Sequence, residues 1–188
     1  MNNQFALDHS QLKVIPAYTA IAQQLDGLAP INSQATFNHY CQTACNLWNL
    51  HVVRQVGTYA RYSGLLQKID QREGDTIVTS WGGVVIIRHE HPQVEKYLVI
   101  KKGGYLALET HAEKQEQLRV EEGAGLLLWR QQKNQPLRAE LLVPGASFSF
   151  SPGMEHCIIG TEDLLILEHS QDYKGMDQDL IFIFTPES

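Results

Sequence analysis

The spacing of apolar positions changes character near residue 75. Before it the period is helical: Leu12, Ile15, Tyr18 or Thr19, Ala22 and Leu25 recur at steps of three and four, the repeat that gathers side chains on one helix face. Pro16 lies inside this run and marks a first turn or a break. Asp26-Gly27 and Pro30 end it. A second run follows Ser33, with Phe37, Tyr40, Cys41, Ala44, Trp48 and Val52, and a weaker third carries Tyr59, Tyr62, Leu66 and Ile69. Residues 1–74 therefore read as a helical N-terminal extension of two or three helices, with Arg54–Val56 as an alternative short strand.

After Gly74-Asp75 the pattern becomes short β-rich runs separated by turn residues. The runs are Val84–Arg88, Tyr97–Lys101, Tyr105–Thr110, Glu116–Val120, Leu126–Arg130, Arg138–Val143, Ser147–Phe150, His156–Ile159, Leu164–His169 and Leu180–Phe184. Strands recurring at intervals of roughly ten residues predict an all-β sandwich or barrel over residues 75–188. No helical pattern alternates with the strands, which argues against a parallel α/β sheet, and no repeat relates the two halves of the chain.

Composition narrows the function classes. Lys plus Arg number 15 against 21 Asp plus Glu, a formal net charge of −6. A general nucleic-acid binder needs a dense basic face, so that class is disfavoured. Cys41, Cys45 and Cys157 are too few for a disulfide framework and read as buried thiols in a reducing compartment. The N-terminus has no signal-peptide pattern. No stretch approaches the roughly 18 apolar residues of a membrane span, and the expectation is a cytoplasmic protein.

Candidate chemistry lies in the β region. His111-Ala-Glu113-Lys-Gln-Glu116 falls where one strand ends and the next begins. Residues two apart on a strand share a face, so His111 and Glu113 can look one way while Glu116 returns from the next strand. Imidazole with carboxylates suits a divalent ion such as Zn, Mn, Fe or Ni. A second segment, Ser151-Pro-Gly-Met-Glu-His156, sets a Pro-Gly turn ahead of a histidine that opens a strand. His111 and Glu116 precede His156 by 45 and 40 residues, with Gly123 at a hairpin between.

This pairing resembles the cupin superfamily over roughly residues 80–170. In cupins a first motif supplies two histidines and a glutamate, a second supplies a further histidine, and all four hold one metal inside a jelly-roll barrel. The nearest look is to type II mannose-6-phosphate isomerase and related sugar-phosphate isomerase-like proteins. Trp81-Gly82 matches the opening of their β domain, and a gapless run from Leu106 to Gly123 places His111, Glu116 and Gly123. The resemblance implies a double-stranded β-helix, a metal held by His111, Glu113, Glu116 and His156, a sugar or sugar phosphate as ligand, and aldose–ketose isomerisation, with Glu113 as the base if it is not a ligand. Two departures stand out: Glu113 replaces the second histidine, and the turn before His156 is one residue shorter. A metal-dependent dioxygenase or a non-catalytic small-molecule binder shares the same scaffold. Cupins also commonly pair through their sheets, which leaves a homodimer open.

A competing register exists, because His89-Glu-His91-Pro-Gln-Val-Glu95 also has cupin-like spacing. The Trp-Gly start and the run to Gly123 favour His111, which leaves His89 and His91 as surface residues. Trp48 and Trp129 read as core, Met154 as pocket wall, Cys157 as packed on the face opposite His156, and His169 as a rim residue. A phosphate would need one of Lys101, Lys102, Arg119 or Arg130 to point inward.

Overall fold

The structure is a computed structural model that describes residues 5–52 and 59–186. Arg54–Val56, the alternative strand, lies outside the described residues. The chain begins with β1 (Leu7–Asp8), α1 (Ser10–Lys13), a 3-10 turn at Pro16–Tyr18, α2 (Thr19–Asp26), α3 (Gln34–His51) and α4 (Ala60–Gln71). Eleven strands follow: β2 (Thr76–Thr79), β3 (Gly82–Glu90), β4 (Gln93–Ile100), β5 (Leu108–His111), β6 (Gln115–Gly123), β7 (Gly125–Arg130), β8 (Leu137–Leu142), β9 (Ser147–Phe150), β10 (Glu155–Ile159), β11 (Leu164–Gln171) and β12 (Leu180–Phe184).

Local sequence explains several boundaries. Pro16 opens the 3-10 turn, where its missing N–H costs nothing. Ser33 and Thr36 cap α3 reciprocally, each side chain accepting from the other's backbone N–H. α4 stops at Arg72, whose φ of 55° ends the helical repeat.

The strands form two six-stranded sheets, ordered β1-β8-β7-β10-β5-β12 and β2-β3-β4-β11-β6-β9. Apart from the parallel β1–β8 pair, the neighbours are antiparallel. This is a mainly β jelly-roll barrel with an N-terminal helical extension. β1 and β2 are strands that periodicity did not suggest, since two or four residues are too few to show alternation. Tyr105, expected to open a strand, makes an isolated bridge to Ile159 instead.

Three apolar clusters tie the parts together. Val84, Leu98, Leu118, Leu127, Ile158 and Ile166 fill the space between the sheets. The outer face of the first sheet (Leu108, Leu126, Leu128, Cys157, Ile159) is covered by Leu12, Ile21, Leu25, Phe37, Tyr40 and Trp48 from the helices. α4 covers part of the second sheet, setting Tyr62 and Ile69 against Val85, Val99 and Leu165. Strand alternation thus sends one set of side chains to the helices and the other into the barrel. No helix among the described residues is long and apolar enough to cross a membrane.

Candidate functional site

Strand alternation delivers the site. Glu109 and His111 on β5, His156 on β10, Glu116 on β6, Lys96 on β4 and Glu168 on β11 all line a cavity of about 430 Å³ inside the barrel. Lys114 and Asp177 line it too, and its apolar wall includes Trp81, Val84, Leu98, Leu106, Leu118 and Ile158.

Three of the four expected ligands meet there. Glu116 stands between the two histidines, with Oε1 3.5 Å from His111 Nε2 and Oε2 3.3 Å from His156 Nε2. Oε2 is buried and makes no hydrogen bond. His111 Nδ1 lies 2.8 Å from Asp179 Oδ1, and Asp179 Oδ2 accepts from the backbone N–H groups of Glu113 and Lys114. Asp179 thereby sets the ring so that Nε2 faces the cavity. The turn at Pro152-Gly153 is docked by the Gly153 N–H, which donates to the His111 carbonyl at 2.8 Å. The two motifs, distant in sequence, are joined there by a main-chain bond.

Glu113 is not brought into this cluster. It lies in the β5–β6 turn, beyond the strand whose alternation would have aimed it inward, and its half-exposed carboxylate pairs with Lys174 at 3.1 Å. The alternative register does not assemble either. His89 and His91 are exposed, and Glu95 lies 3.6 Å from His169 at the surface. None of the four basic residues considered for a phosphate lines the cavity. Lys101 pairs with Asp70, Arg119 with Glu121 and Arg130 with Glu155, while Lys102 is exposed.

The cationic groups inside are Lys96 and Lys114, which sequence reasoning missed. Lys114 Nζ is surrounded by Glu116 Oε1 at 2.7 Å, Glu168 Oε1 at 2.8 Å and Asp177 Oδ1 at 2.5 Å. Lys96 Nζ sits 2.6 Å from Asp177 Oδ2 and 3.3 Å from Glu168. Period two carried a signal for Lys96, Glu109 and Glu168, each two residues from an inward-facing residue (Leu98, His111 and Ile166). Asp177 and Asp179 sit in or at the end of an irregular segment, where no period applies.

No protein-family model matches the chain, and no curated protein does. Among solved structures, the capsular polysaccharide assembling protein CapF from Staphylococcus aureus shares 19% identity with a TM-score of 0.50. The likeness covers 58% of this chain and 34% of CapF, so the chain spans about a third of that protein's length. The fold is that of a cupin. KdgF from Halomonas sp. (18% identity, TM-score 0.45, 53% of this chain and 90% of that one) is also similar. So is an oxalate decarboxylase formate complex from Lactobacillus farciminis (19%, 0.48, 60% and 34%).

Within this cupin barrel, burial and charge act against each other. Burial pulls the His111 pKa down, but Glu116 and Asp179 outweigh it and raise it to about 9. His156 is shifted the other way, because burial outweighs the attraction of Glu116. Burial would push Glu116 up, yet His156, Lys114 and His111 hold it well below the carboxylate range. Glu109, 3.9 Å from His156 Nε2, is raised to about 8 by burial and then by the Glu116 charge. The site thus holds one carboxylate kept ionised and another kept protonated near neutral pH.

The donor set fits a divalent ion. Two imidazole nitrogens flank one carboxylate, the orphaned Glu116 Oε2 offers a free lone pair, and His111 carries the carboxylate partner typical of ligating histidines. A second grouping shares two of these residues: His111, Glu116 and Asp177 present ligand atoms within 4.8 Å of one another, and His156 is not part of it.

Proposed function

We propose that the barrel binds a small polyhydroxylated ligand, a sugar or sugar phosphate, at a divalent metal (Zn, Mn, Fe or Ni) held by His111, Glu116 and His156. The observation that carries this reading is the unbonded Glu116 Oε2 set 3.3 Å from His156 Nε2 at the wall of a cavity of about 430 Å³. A bound divalent ion would polarise a carbonyl or hydroxyl oxygen. Asp179 keeps the His111 ring in place for that task. Trp81 and the neighbouring aliphatic wall offer a surface for the apolar face of a sugar ring. Glu109, protonated near neutral pH and facing the same space, is placed to give and recover a proton. Aldose–ketose isomerisation moves a proton between adjacent carbons and is the reaction we favour, with the ionised fraction of Glu109, which grows as pH rises towards about 8, in the base role first assigned to Glu113. Both cavity lysines are already matched by carboxylates, which favours an uncharged sugar over a phosphate ester.

Two histidines with one carboxylate are also the donor set of non-haem iron oxygenases, and this supports a dioxygenase as the second reading. The unpaired, buried Cys41, Cys45 and Cys157 are in keeping with a cytoplasmic setting, and light scattering would test for a homodimer.

Metal analysis of the purified protein and of His156→Ala decides the site. Uptake of added divalent metal by the first and its loss from the second is the expected result, and equal uptake by both would sink the assignment. Sugar-dependent thermal shifts without oxygen uptake then favour the isomerase; iron with oxygen uptake favours the second reading.

A further inference from the structure

The donor cluster that could take a divalent ion already holds a cation of the chain's own. Glu116 and Asp177, two of the three residues whose ligand atoms converge with His111, both accept hydrogen bonds from Lys114 Nζ. Glu168 Oε1 is the third carboxylate oxygen around the same ammonium, at 2.8 Å. An ammonium has three donor hydrogens and no lone pair; two of them go to Glu116 and Asp177, and Glu168 Oε1 pairs with the ammonium by charge without a hydrogen bond. The side chain is 1% exposed. Lys114 is the last residue of the β5–β6 turn and Glu116 the second residue of β6, and both line the cavity.

A divalent ion bonded to His111 and Glu116 would have to sit within a few ångströms of this ammonium. Two positive centres about 4 Å apart in a low-dielectric interior repel strongly, and each needs the same carboxylate oxygens. Lys96 does not remove the conflict, because its ammonium draws on Asp177 and Glu168 as well.

We propose that Lys114 is a tethered occupant of the cation position, and that a divalent metal engages His111 and Glu116 only by displacing its ammonium from Glu116 and Asp177. Lys114 then sets the metal affinity of the barrel, which makes the bound ion weakly held and exchangeable. This inference rests on the metal reading above, but the two can fail separately.

The test is calorimetric titration of Mn²⁺ and Zn²⁺ into the chelator-treated full-length protein, Lys114→Met, and Lys114→Met/Glu168→Gln. The double variant removes a buried charge of each sign and so guards against misfolding of the single one, which leaves carboxylates uncompensated. Binding at least about tenfold tighter than wild type (1.4 kcal/mol) is expected in the folded variant. Added metal should also raise its melting temperature more than that of wild type, and a further His111→Ala change should abolish the gain. Unchanged or weaker binding in the folded variant, with wild type still binding, overturns the proposal and leaves the metal reading intact. Binding by neither protein overturns both. Binding by the variant alone upholds the role of Lys114 and removes the metal from the native barrel.

Discussion

Gly123 and Gly153 both have positive φ, 88° and 83°, but for different reasons. A Cβ on Gly123 would lie 1.8 Å from the Asp163 carbonyl oxygen, where β6 closes against the start of β11. A Cβ on Gly153 would meet nothing within 4 Å, so that residue is needed for its backbone conformation alone. Gly153→Ala should therefore cost about 1–2 kcal/mol, the ordinary penalty of a left-handed residue. Gly123→Ala adds a main-chain collision and should cost more than about 3 kcal/mol or prevent folding. Urea denaturation of both variants checks this; similar midpoints would mean that β6 and β11 can separate without loss. The same scale holds the chemistry: Glu109 and Glu116 are both glutamates in one cavity, and surroundings alone push one up to about 8 and the other well down.

Among the helices, a partly buried polar chain connects the start of the molecule to α2 and α3. His9 Nδ1 lies 2.7 Å from Asp26 Oδ1, His9 Nε2 lies 2.7 Å from the Tyr40 hydroxyl, and Lys13 pairs with the other Asp26 oxygen at 2.5 Å. Lys13 first, and then His9, hold the Asp26 carboxyl below its ordinary value. A carboxyl with a depressed folded pKa stabilises the native state above its unfolded pKa of about 3.9 and loses that contribution as pH falls through the folded value. Asp26→Asn should lower the urea midpoint at pH 7 and flatten the acid-induced loss of stability below about pH 4. Parallel stability curves for the two proteins would show that this chain of contacts contributes nothing. The runs around Leu12–Leu25 and Phe37–Trp48 announced these helices because an amphipathic face is a local property. The cross-links between them were not legible, since His9 and Tyr40 stand 31 residues apart.

At the scale of the molecule, the helical extension acts as the cover of the first sheet. Leu108, Leu126, Leu128, Cys157 and Ile159 are buried in one cluster with Ile21, Phe37, Tyr40 and Trp48. Removing residues 1–74 should leave that face open to water and yield an aggregated barrel; a monodisperse, soluble truncation by light scattering would contradict this. The cavity stands on the opposite face of the same strands, so the cover and the site share their scaffold.

The order of short strands, the barrel class and the pair of segments at His111–Glu116 and Pro152–His156 were set by the sequence itself. Period-two alternation and turn residues act over a few positions and can be read there. The inward placement of His111, Glu116 and His156 followed the same rule. Glu113 did not, because a turn breaks the alternation on which its expected position depended. The charge network was decided only by the tertiary structure. Lys96 meets Asp177 across 81 residues and His111 meets Asp179 across 68, and nothing near either end of such a contact marks its partner. Burial then turns those meetings into chemistry, because a carboxylate or ammonium removed from water must find an opposite charge or change its protonation. Which cation fills the barrel is therefore a property of the folded chain.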